Sequence, residues 1–203
     1  MNRLRNTFFQ NACKPEGLLG RLMMIRMNFR HRPLHRWGLS FLRFRRNDHV
    51  LDVGCGGGAL IKRLLKAVPD GIVEGIDYSD DAVLFSRLRN RSAGSRCVIT
   101  RGDVGALPYR EDSFDIVTAF ETVYFWPDLK RSLNGIYRVL KPGGQFLLGC
   151  ETEKPIPPEN GVRIRGMKVY TADALSDFAE AAGFMEISVH RHPAGWFSLY
   201  AKK

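Results

Sequence analysis

The sequence has no closely spaced pair of cysteines. Its four cysteines, Cys13, Cys55, Cys97 and Cys150, lie about forty or more residues apart along the chain. This spacing argues against a disulfide framework and against a zinc knuckle, because both need cysteines at short, regular intervals. We therefore predict reduced thiols in a cytoplasmic protein.

Long apolar runs are also missing. No run approaches the roughly 18 residues that a membrane-spanning helix needs, and the first 30 residues lack the apolar core of a signal peptide. Hydrophobic residues make up 44% of the 203 residues and charged residues 26%, which are ordinary values for a globular domain. We expect one soluble domain with a full hydrophobic core.

Acidic residues are almost absent from the first 46 positions. This segment has eleven Lys or Arg and a single acid, Glu16, whereas residues 47–203 have twenty of each sign, so the net charge of +10 resides in the segment. Such asymmetry can mark contact with nucleic acid, a membrane or an acidic substrate, and it can equally mark a solvated helix face. An arginine-rich, acid-poor start also resembles a transit peptide.

Apolar faces within this basic segment indicate that it belongs to the fold. They predict two helices, over residues 15–28 and 33–44. We therefore divide the chain into a basic N-terminal helical segment, 1–46, and a main domain, 47–203, of the same fold.

Strand and helix patterns alternate through the main domain, which indicates an α/β fold with a mostly parallel sheet. Helices are predicted from about 57 to 68, from 79 to 90, from 127 or 128 to 140, and from 171 to 183. Strands are predicted at 49–54, 72–77, 97–101, 114–120, 145–150, 185–190 and 196–201, the last two forming a hairpin.

The first strand runs through glycines straight into a helix. Gly54 and Gly56 to Gly58 form this turn, which leaves main-chain N–H groups unpaired and has no Cβ atoms to hold a ligand away. Asp77, Asp103 and Glu121 end the next three strands, at the sheet edge where such folds bind ligands. Each acid alone is typical of a helix cap or a solvated strand end, but the three together beside a glycine turn predict a nucleotide-type site.

A dinucleotide site is one interpretation, because Gly54, Gly56 and Ala59 satisfy G-x-G-x-x-A. Two features disfavour it. Asp52 would meet a pyrophosphate as a like charge, whereas it would attract an ammonium group. A hairpin also stands where a second mononucleotide-binding half would be expected. The pattern favours a ligand that is cationic at one end and adenosine-like at the other, which describes S-adenosylmethionine.

Five ordered motifs resemble those of class I S-adenosylmethionine-dependent methyltransferases. They are Val50-Leu-Asp-Val-Gly-Cys-Gly-Gly-Gly58, Gly75-Ile-Asp-Tyr-Ser79, Gly102-Asp103, Asp112-Ser-Phe-Asp-Ile-Val117 and Leu140-Lys-Pro-Gly-Gly144. The resemblance implies a Rossmann-like, seven-stranded, mostly parallel sheet with a C-terminal antiparallel hairpin, flanked by helices. It also implies that residues 1–46 form N-terminal lid helices over the cofactor.

The resemblance further implies a role for each matching residue, with S-adenosylmethionine as cofactor and S-adenosylhomocysteine as product. The main chain of Gly54, Cys55, Gly56 and Gly58 would lie against the methionine part of the cofactor. Asp52 would hold the turn and approach the ammonium group through water, Asp77 would bind the ribose hydroxyls, and Tyr78 would pack on the adenine face. Asp103 and the N–H of Val104 would contact the adenine edge. Apart from the resemblance, Glu121 has two interpretations, one in which it stabilises the sulfonium or its ordered water and one in which it acts as a base.

The acceptor side is predicted around Ala119 to Trp126, which lacks the N-P-P-Y pattern of methyltransferases that act on base or glutamine amino groups. Glu121 and Tyr124 are candidate catalytic residues, and Tyr124 and Trp126 are candidates for substrate binding, with core packing as the alternative for the aromatic residues. Cys150 ends strand five, where 5-methylcytosine RNA enzymes place a nucleophile. It lacks their Pro-Cys or Thr-Cys context, which favours a buried core cysteine.

In the lid, His31 and His35 have the i, i+4 spacing that suits a metal, but Pro33 interrupts a regular helix and no third ligand is evident. We predict no metal, and we predict that His35 and Trp37 help to close the pocket over a small-molecule acceptor. Two alternatives stay open, an RNA methyltransferase that uses the basic segment and a non-catalytic protein that only binds the cofactor. The methylated atom and the oligomeric state stay open as well.

Overall fold

One sheet organises the fold in the computed structural model, which describes residues 16–154, 164 and 166–203. Its seven strands lie in the order β3-β2-β1-β4-β5-β7-β6. Strands β1 to β5 pair in parallel, and β7 runs antiparallel to both of its neighbours. The predicted α/β, Rossmann-like sheet with a C-terminal antiparallel hairpin is confirmed. The strands are β1 His49–Val53, β2 Ile72–Asp77, β3 Cys97–Arg101, β4 Phe114–Phe120, β5 Leu140–Cys150, β6 Met185–Arg191 and β7 Phe197–Lys202.

Six α-helices accompany the sheet in the described part of the chain, and several begin at the predicted caps. The side chains of Ser79, Asp128 and Thr171 each accept a hydrogen bond from a main-chain N–H in the first turn of the helix that follows. The helices are α1 Gly17–Arg30, α2 Arg32–Leu39, α3 Ala59–Ala67, α4 Asp80–Asn90, α5 Leu129–Val139 and α6 Ala172–Ala181.

Both faces of the sheet are covered, which explains why its central strands are apolar almost throughout. On one face, Val50, Ile116 and Leu147 belong to a core cluster that includes residues of α3 and Leu34 of α2. On the other face, Leu51 and Val117 belong to a core cluster with residues of α5 and α6. The carboxyl ends of the parallel strands therefore meet at one edge, between two rigid layers.

The second predicted helix, 33–44, is wrong at its C-terminal end, because α2 ends at Leu39. The side-chain amide of Gln145 accepts a hydrogen bond from the Arg43 N–H at 2.9 Å and donates one to the Arg43 carbonyl at 2.7 Å. These bonds use the main-chain groups that a continuing helix would need. Strand β5 also begins earlier than predicted, because Leu140 already pairs with Phe114 ahead of a register shift.

The helical path breaks at His31, between α1 and α2, so no single regular helix runs through His31 and His35, as expected. Pro33 lies in the first turn of α2, where its missing N–H would have no helical partner. His31 caps this helix, and its carbonyl accepts a hydrogen bond from the His35 N–H at 2.9 Å. The two imidazole rings consequently lie near each other, with centroids 6.2 Å apart.

The two N-terminal helices rest on different parts of the main domain. The main-chain N–H of Gly17 donates to Asp81 of α4 at 2.7 Å, and α2 lies against β5. Within the described residues, no helix combines the length and the apolar character needed to cross a bilayer. The domain boundary at residue 46 stays a prediction, and residues 1–15, with Cys13, lie outside the described part.

Candidate functional site

The glycine turn after β1 has a main-chain conformation that favours glycine, and main-chain hydrogen bonds fix it to β2. Gly54, Gly56 and Gly58 have φ of +71°, +49° and +69°, a region that side-chain-bearing residues seldom adopt. The N–H groups of Gly54 and Cys55 donate to the Ile76 carbonyl at 2.8 and 3.1 Å, which ties the turn to β2. A Cβ on Gly54 would collide with Thr122, whereas one on Gly56 would meet no described atom within 4 Å. At Gly56 the main chain of the turn is therefore open to contact with a ligand.

The Asp77 carboxylate braces this turn from the end of β2. One of its oxygens accepts from the Gly56 N–H at 2.8 Å, and the other accepts from the Ser79 N–H at 2.9 Å. Burial raises the pKa of Asp77, and these hydrogen bonds oppose that rise. A carboxylate has about four lone-pair positions, and those that the main chain does not use are open to a ligand hydroxyl.

A cavity of about 430 Å³ opens above the turn at the carboxyl edge of the sheet. Its volume lies within the range of small-molecule sites. Among the predicted site residues, those that line it are His35, Asp52, Gly54, Cys55, Gly56, Asp77, Tyr78, Asp103, Val104, Glu121 and Trp126. The topology thus brings together residues from four strand ends and from the lid.

Three predicted residues do not line this cavity in the described part of the chain: Gly58, Tyr124 and Trp37. Gly58 packs instead, since a Cβ there would collide with Ser86 and Asn90 of α4. Tyr124 is 2% exposed and belongs to the core.

Trp37 points toward the C-terminal hairpin. Its ring lies edge-on to Phe41 and His192, with centroids 5.1 and 5.2 Å away. Its expected place in the pocket wall is therefore corrected to a contact that ties α2 to the sheet.

Several cavity residues were not predicted from the sequence. Gly57 lines it in place of Gly58, and the lid contributes Met24, Met27 and Asn28. Asn28 donates from its side-chain amide to the Gly57 carbonyl at 3.1 Å. No local sequence signal joins α1 to the glycine turn, because the two segments are separated by about thirty residues and meet only through packing.

Asp52 lies beneath the turn and is 2% exposed. It accepts a hydrogen bond from the Thr118 hydroxyl at 2.8 Å. Burial raises the pKa of Asp52 to about 7, although the Thr118 hydrogen bond acts in the opposite direction. A positive group entering the cavity would favour the charged form of this carboxyl, so the site fits a ligand with an ammonium group.

Glu121 directly follows β4 and has a strained conformation, with φ of +58°. Its carboxylate accepts from the Glu151 N–H at 2.5 Å and from the Tyr124 hydroxyl at 3.2 Å. Burial first, and the charge of Glu151 second, raise the pKa of Glu121 to about 8. These influences favour the protonated form of this carboxyl, which can donate a hydrogen bond.

Two histidines of the lid complete this end of the cavity. Burial lowers the pKa of His31, and it lowers the pKa of His35 to about 3, so both imidazoles are neutral at pH 7. The His31 Nε2 atom lies 3.8 Å from Glu151, which also pairs with Arg30 at 2.8 Å.

The described residues contain one set of possible metal ligands at this place. His31, Glu121 and Glu151 each bring a ligand atom to within 4.8 Å of the other two. The two residues that join His31 in this set follow β4 and β5, far along the chain, and His35 is not part of the set. The prediction of no metal stays a prediction.

Cys150 is fully buried among core residues, as predicted. Burial raises its pKa well above the usual value, which disfavours the thiolate that a nucleophile needs. Trp126 is only 3% exposed, yet it lines the cavity while its indole N–H donates to Thr122 at 3.3 Å.

The family model and two relatives that this chain matches are all described as methyltransferases. Residues 51–148 match the family model described as a methyltransferase domain. The chain is 37% identical over 124 residues to a demethylmenaquinone methyltransferase of Symbiobacterium thermophilum, covering 60% of this chain and 49% of that protein. It is 28% identical to the uncharacterized methyltransferase YdaC of Bacillus subtilis, covering 77% of this chain and 82% of that protein.

A solved structure has the same fold. It is a SAM-dependent methyltransferase from Aquifex aeolicus, with a TM-score of 0.73 at 19% identity, covering 88% of this chain and 96% of that chain. The chain spans about half the length of the demethylmenaquinone methyltransferase that it matches.

Proposed function

Because the chain belongs to the class I family of S-adenosylmethionine-dependent methyltransferases, we propose that it transfers a methyl group to a small-molecule acceptor. The transfer is an in-line displacement from S-adenosylmethionine, whose positively charged sulfur supplies an activated methyl group. The observation that carries this proposal is the bare turn at Gly56, braced by the Asp77 carboxylate inside a cavity that the lid helices border.

The cofactor would lie along the strand ends. Asp77 would accept hydrogen bonds from the ribose hydroxyls, with Gly54 to Gly57 against the methionine part and Asp52 facing its ammonium group. Asp103 accepts from the Gly105 N–H through one carboxylate oxygen at 2.8 Å, which leaves the other oxygen for an adenine amino group. Tyr78, beside it in the cavity wall, would cover the adenine.

The acceptor would lie between β4 and the lid. This part of the cavity is lined by the apolar side chains of Met24, Met27, Phe120, Phe125 and Trp126. Such a wall suits an acceptor with an apolar body and excludes water from the reacting atoms. Relatives that include a demethylmenaquinone methyltransferase support an acceptor of this size class.

Proton handling would fall to the polar end of this wall. Neutral His31 can accept a proton from the acceptor, and protonated Glu121 can donate a hydrogen bond that orients it. Tyr124 reaches Glu121 from the core and would hold its carboxyl in place. His35 would complete the wall beside them. The cytoplasmic location predicted from the unpaired cysteines is part of this proposal.

The test incubates the purified chain with S-adenosylmethionine labelled in the methyl group and with fractionated cell extract. Label in a small organic compound is the expected result. Label in RNA would establish the alternative acceptor class, and cofactor binding without any labelled product would indicate a non-catalytic protein. A Glu121→Ala variant serves as the matched sample, because it should lose most of the labelled product while its circular dichroism spectrum stays that of the unaltered chain.

A further inference from the structure

Helix α1 carries apolar side chains on its outer surface as well as on its inner one. Leu18, Leu22, Ile25 and Phe29 are 78%, 56%, 52% and 69% exposed. They follow one another at intervals of four, three and four residues, so they form one stripe along the helix. We refer to these four residues as the outer stripe. A contiguous exposed stripe of large apolar side chains is uncommon unless a partner covers it.

The inner side of the same helix is already occupied. Met23 and Met24 are buried at 4% and 2% exposure, and Met24 and Asn28 line the cavity. The helix therefore already packs against the domain through the side opposite the outer stripe, and the outer stripe is a second apolar surface. Packing of the described residues leaves the outer stripe facing solvent.

Arginines border the outer stripe on both flanks. Arg21 stands one helical turn from Ile25 on one flank, and Arg26 stands one turn from Leu22 on the other. Both are exposed. The guanidinium of Arg32 lies 4.9 Å from the ring centroid of Phe29, at the C-terminal end of the stripe. From residue 17 to residue 46 the sequence has eight arginines and no acid.

We propose that α1 docks on the surface of an anionic lipid bilayer through the outer stripe. The four apolar side chains would enter the boundary between headgroups and acyl chains, and Arg21 and Arg26 would reach the lipid phosphates alongside them. Residues 17–46 contain no acid, so repulsion by an anionic surface is confined to the N-terminal end of the stripe, where Glu16 precedes α1 and Asp81 contacts Gly17.

Two other occupants, a second copy of the chain and an RNA, each fit only part of this surface. A second copy seated on the outer stripe would bring two arginine-rich segments together, which costs free energy. An RNA would be drawn to the arginines, but its phosphates would gain nothing from Leu18, Leu22 and Ile25 between them. A bilayer surface satisfies the apolar stripe and the positive flanks at once.

Docking in this way would place the lid side of the cavity near the lipid. Met24, Met27 and Asn28 of α1 line the cavity on the side of the helix that faces away from the outer stripe. The inference stands apart from the proposed function, because binding to vesicles requires no methyl transfer and is measured without it.

The test measures co-sedimentation of the full chain with phosphatidylcholine vesicles that contain or lack phosphatidylglycerol. We expect binding to the anionic vesicles that weakens with added salt, and much weaker binding to the neutral ones. A Leu22→Gln/Ile25→Gln variant should bind about twentyfold less tightly, since each buried apolar side chain adds about fivefold. The Arg21→Gln/Arg26→Gln variant should lose a similar factor in affinity for the anionic vesicles, about fivefold for each charge. Its affinity for the neutral vesicles should not change.

Matched control variants show whether loss of vesicle binding is specific to α1 or follows from removing any exposed apolar side chain or positive charge. Met185→Gln removes an equally exposed apolar side chain, 61% exposed, from the edge strand β6. Lys66→Gln/Arg110→Gln removes two exposed charges outside the lid. Both should bind vesicles as the unaltered chain does, and circular dichroism should show the same helix content in all variants.

Three results would overturn the proposal. One is failure of the unaltered chain to bind anionic vesicles. Another is equal vesicle binding by the Leu22→Gln/Ile25→Gln variant and the unaltered chain. The third is binding to an RNA oligomer, or self-association in sedimentation experiments, that the stripe variant loses while vesicle binding persists.

Discussion

Replacing Asp77 with alanine removes a carboxylate that accepts main-chain hydrogen bonds from Gly56 and Ser79. It also removes the acceptor that the proposal assigns to the two ribose hydroxyls of the cofactor. Hydrogen bonds to a charged group contribute about 1.5 to 3 kcal/mol each. Losing two of them should cost at least about 3 kcal/mol, which corresponds to cofactor binding weakened by at least roughly a hundredfold.

Isothermal titration with S-adenosylmethionine and with S-adenosylhomocysteine measures this change directly. Asp77→Asn keeps the shape of the side chain but replaces one acceptor oxygen with a donor, so we expect it to lose part of the same affinity. Asp70→Ala is the matched control, because Asp70 is also a carboxylate at the end of a turn but pairs with Arg46 at the exposed surface. It should leave cofactor affinity unchanged.

Unchanged affinity in a folded Asp77→Ala protein would refute the assignment of Asp77 to the ribose. Circular dichroism and the melting temperature identify a variant that fails because the turn has collapsed. Asp77→Asn then decides the matter, since it preserves the packing around the turn while altering the hydrogen bonds.

Three further predictions concern stability and the role of a thiol. The free energy of unfolding in urea should be about 1 to 3 kcal/mol lower for Gly54→Ala than for Gly143→Ala. Both glycines have a φ above +70°, but only a Cβ on Gly54 would collide with Thr122. Equal free energies of unfolding for the two variants would contradict this reasoning. Burial lowers the pKa of His35 to about 3 in the folded chain, so on acidification His35 takes up a proton in the unfolded chain before it does so in the folded one. The free energy of unfolding should therefore fall as the pH drops from about 6.5 toward 3. His35→Phe should reduce that fall in denaturation experiments at pH 7.5 and 5, and an unreduced fall would disprove it. Cys150→Ala should retain methyl transfer with a modest loss of stability, whereas abolished transfer by a folded variant would revive the nucleophile interpretation.

The sequence alone determined the sheet and the cofactor edge. Apolar runs, glycines and caps are local signals, and parallel strands carry their carboxyl ends to one edge whatever the rest of the chain does. These local signals alone predict that Asp52, Asp77 and Asp103 lie at the edge of the sheet where the cavity opens.

Only the tertiary structure decided the acceptor side and the lid. Asn28 meets Gly57, and Glu151 meets Glu121, His31 and Arg30, across separations that carry no local signal. The same holds for α2, whose end is set by Gln145 far along the chain, and for Trp37, which consequently faces the hairpin instead of the cavity. Periodicity specifies which face of a helix is apolar, but the partner of that face is chosen by packing between distant segments.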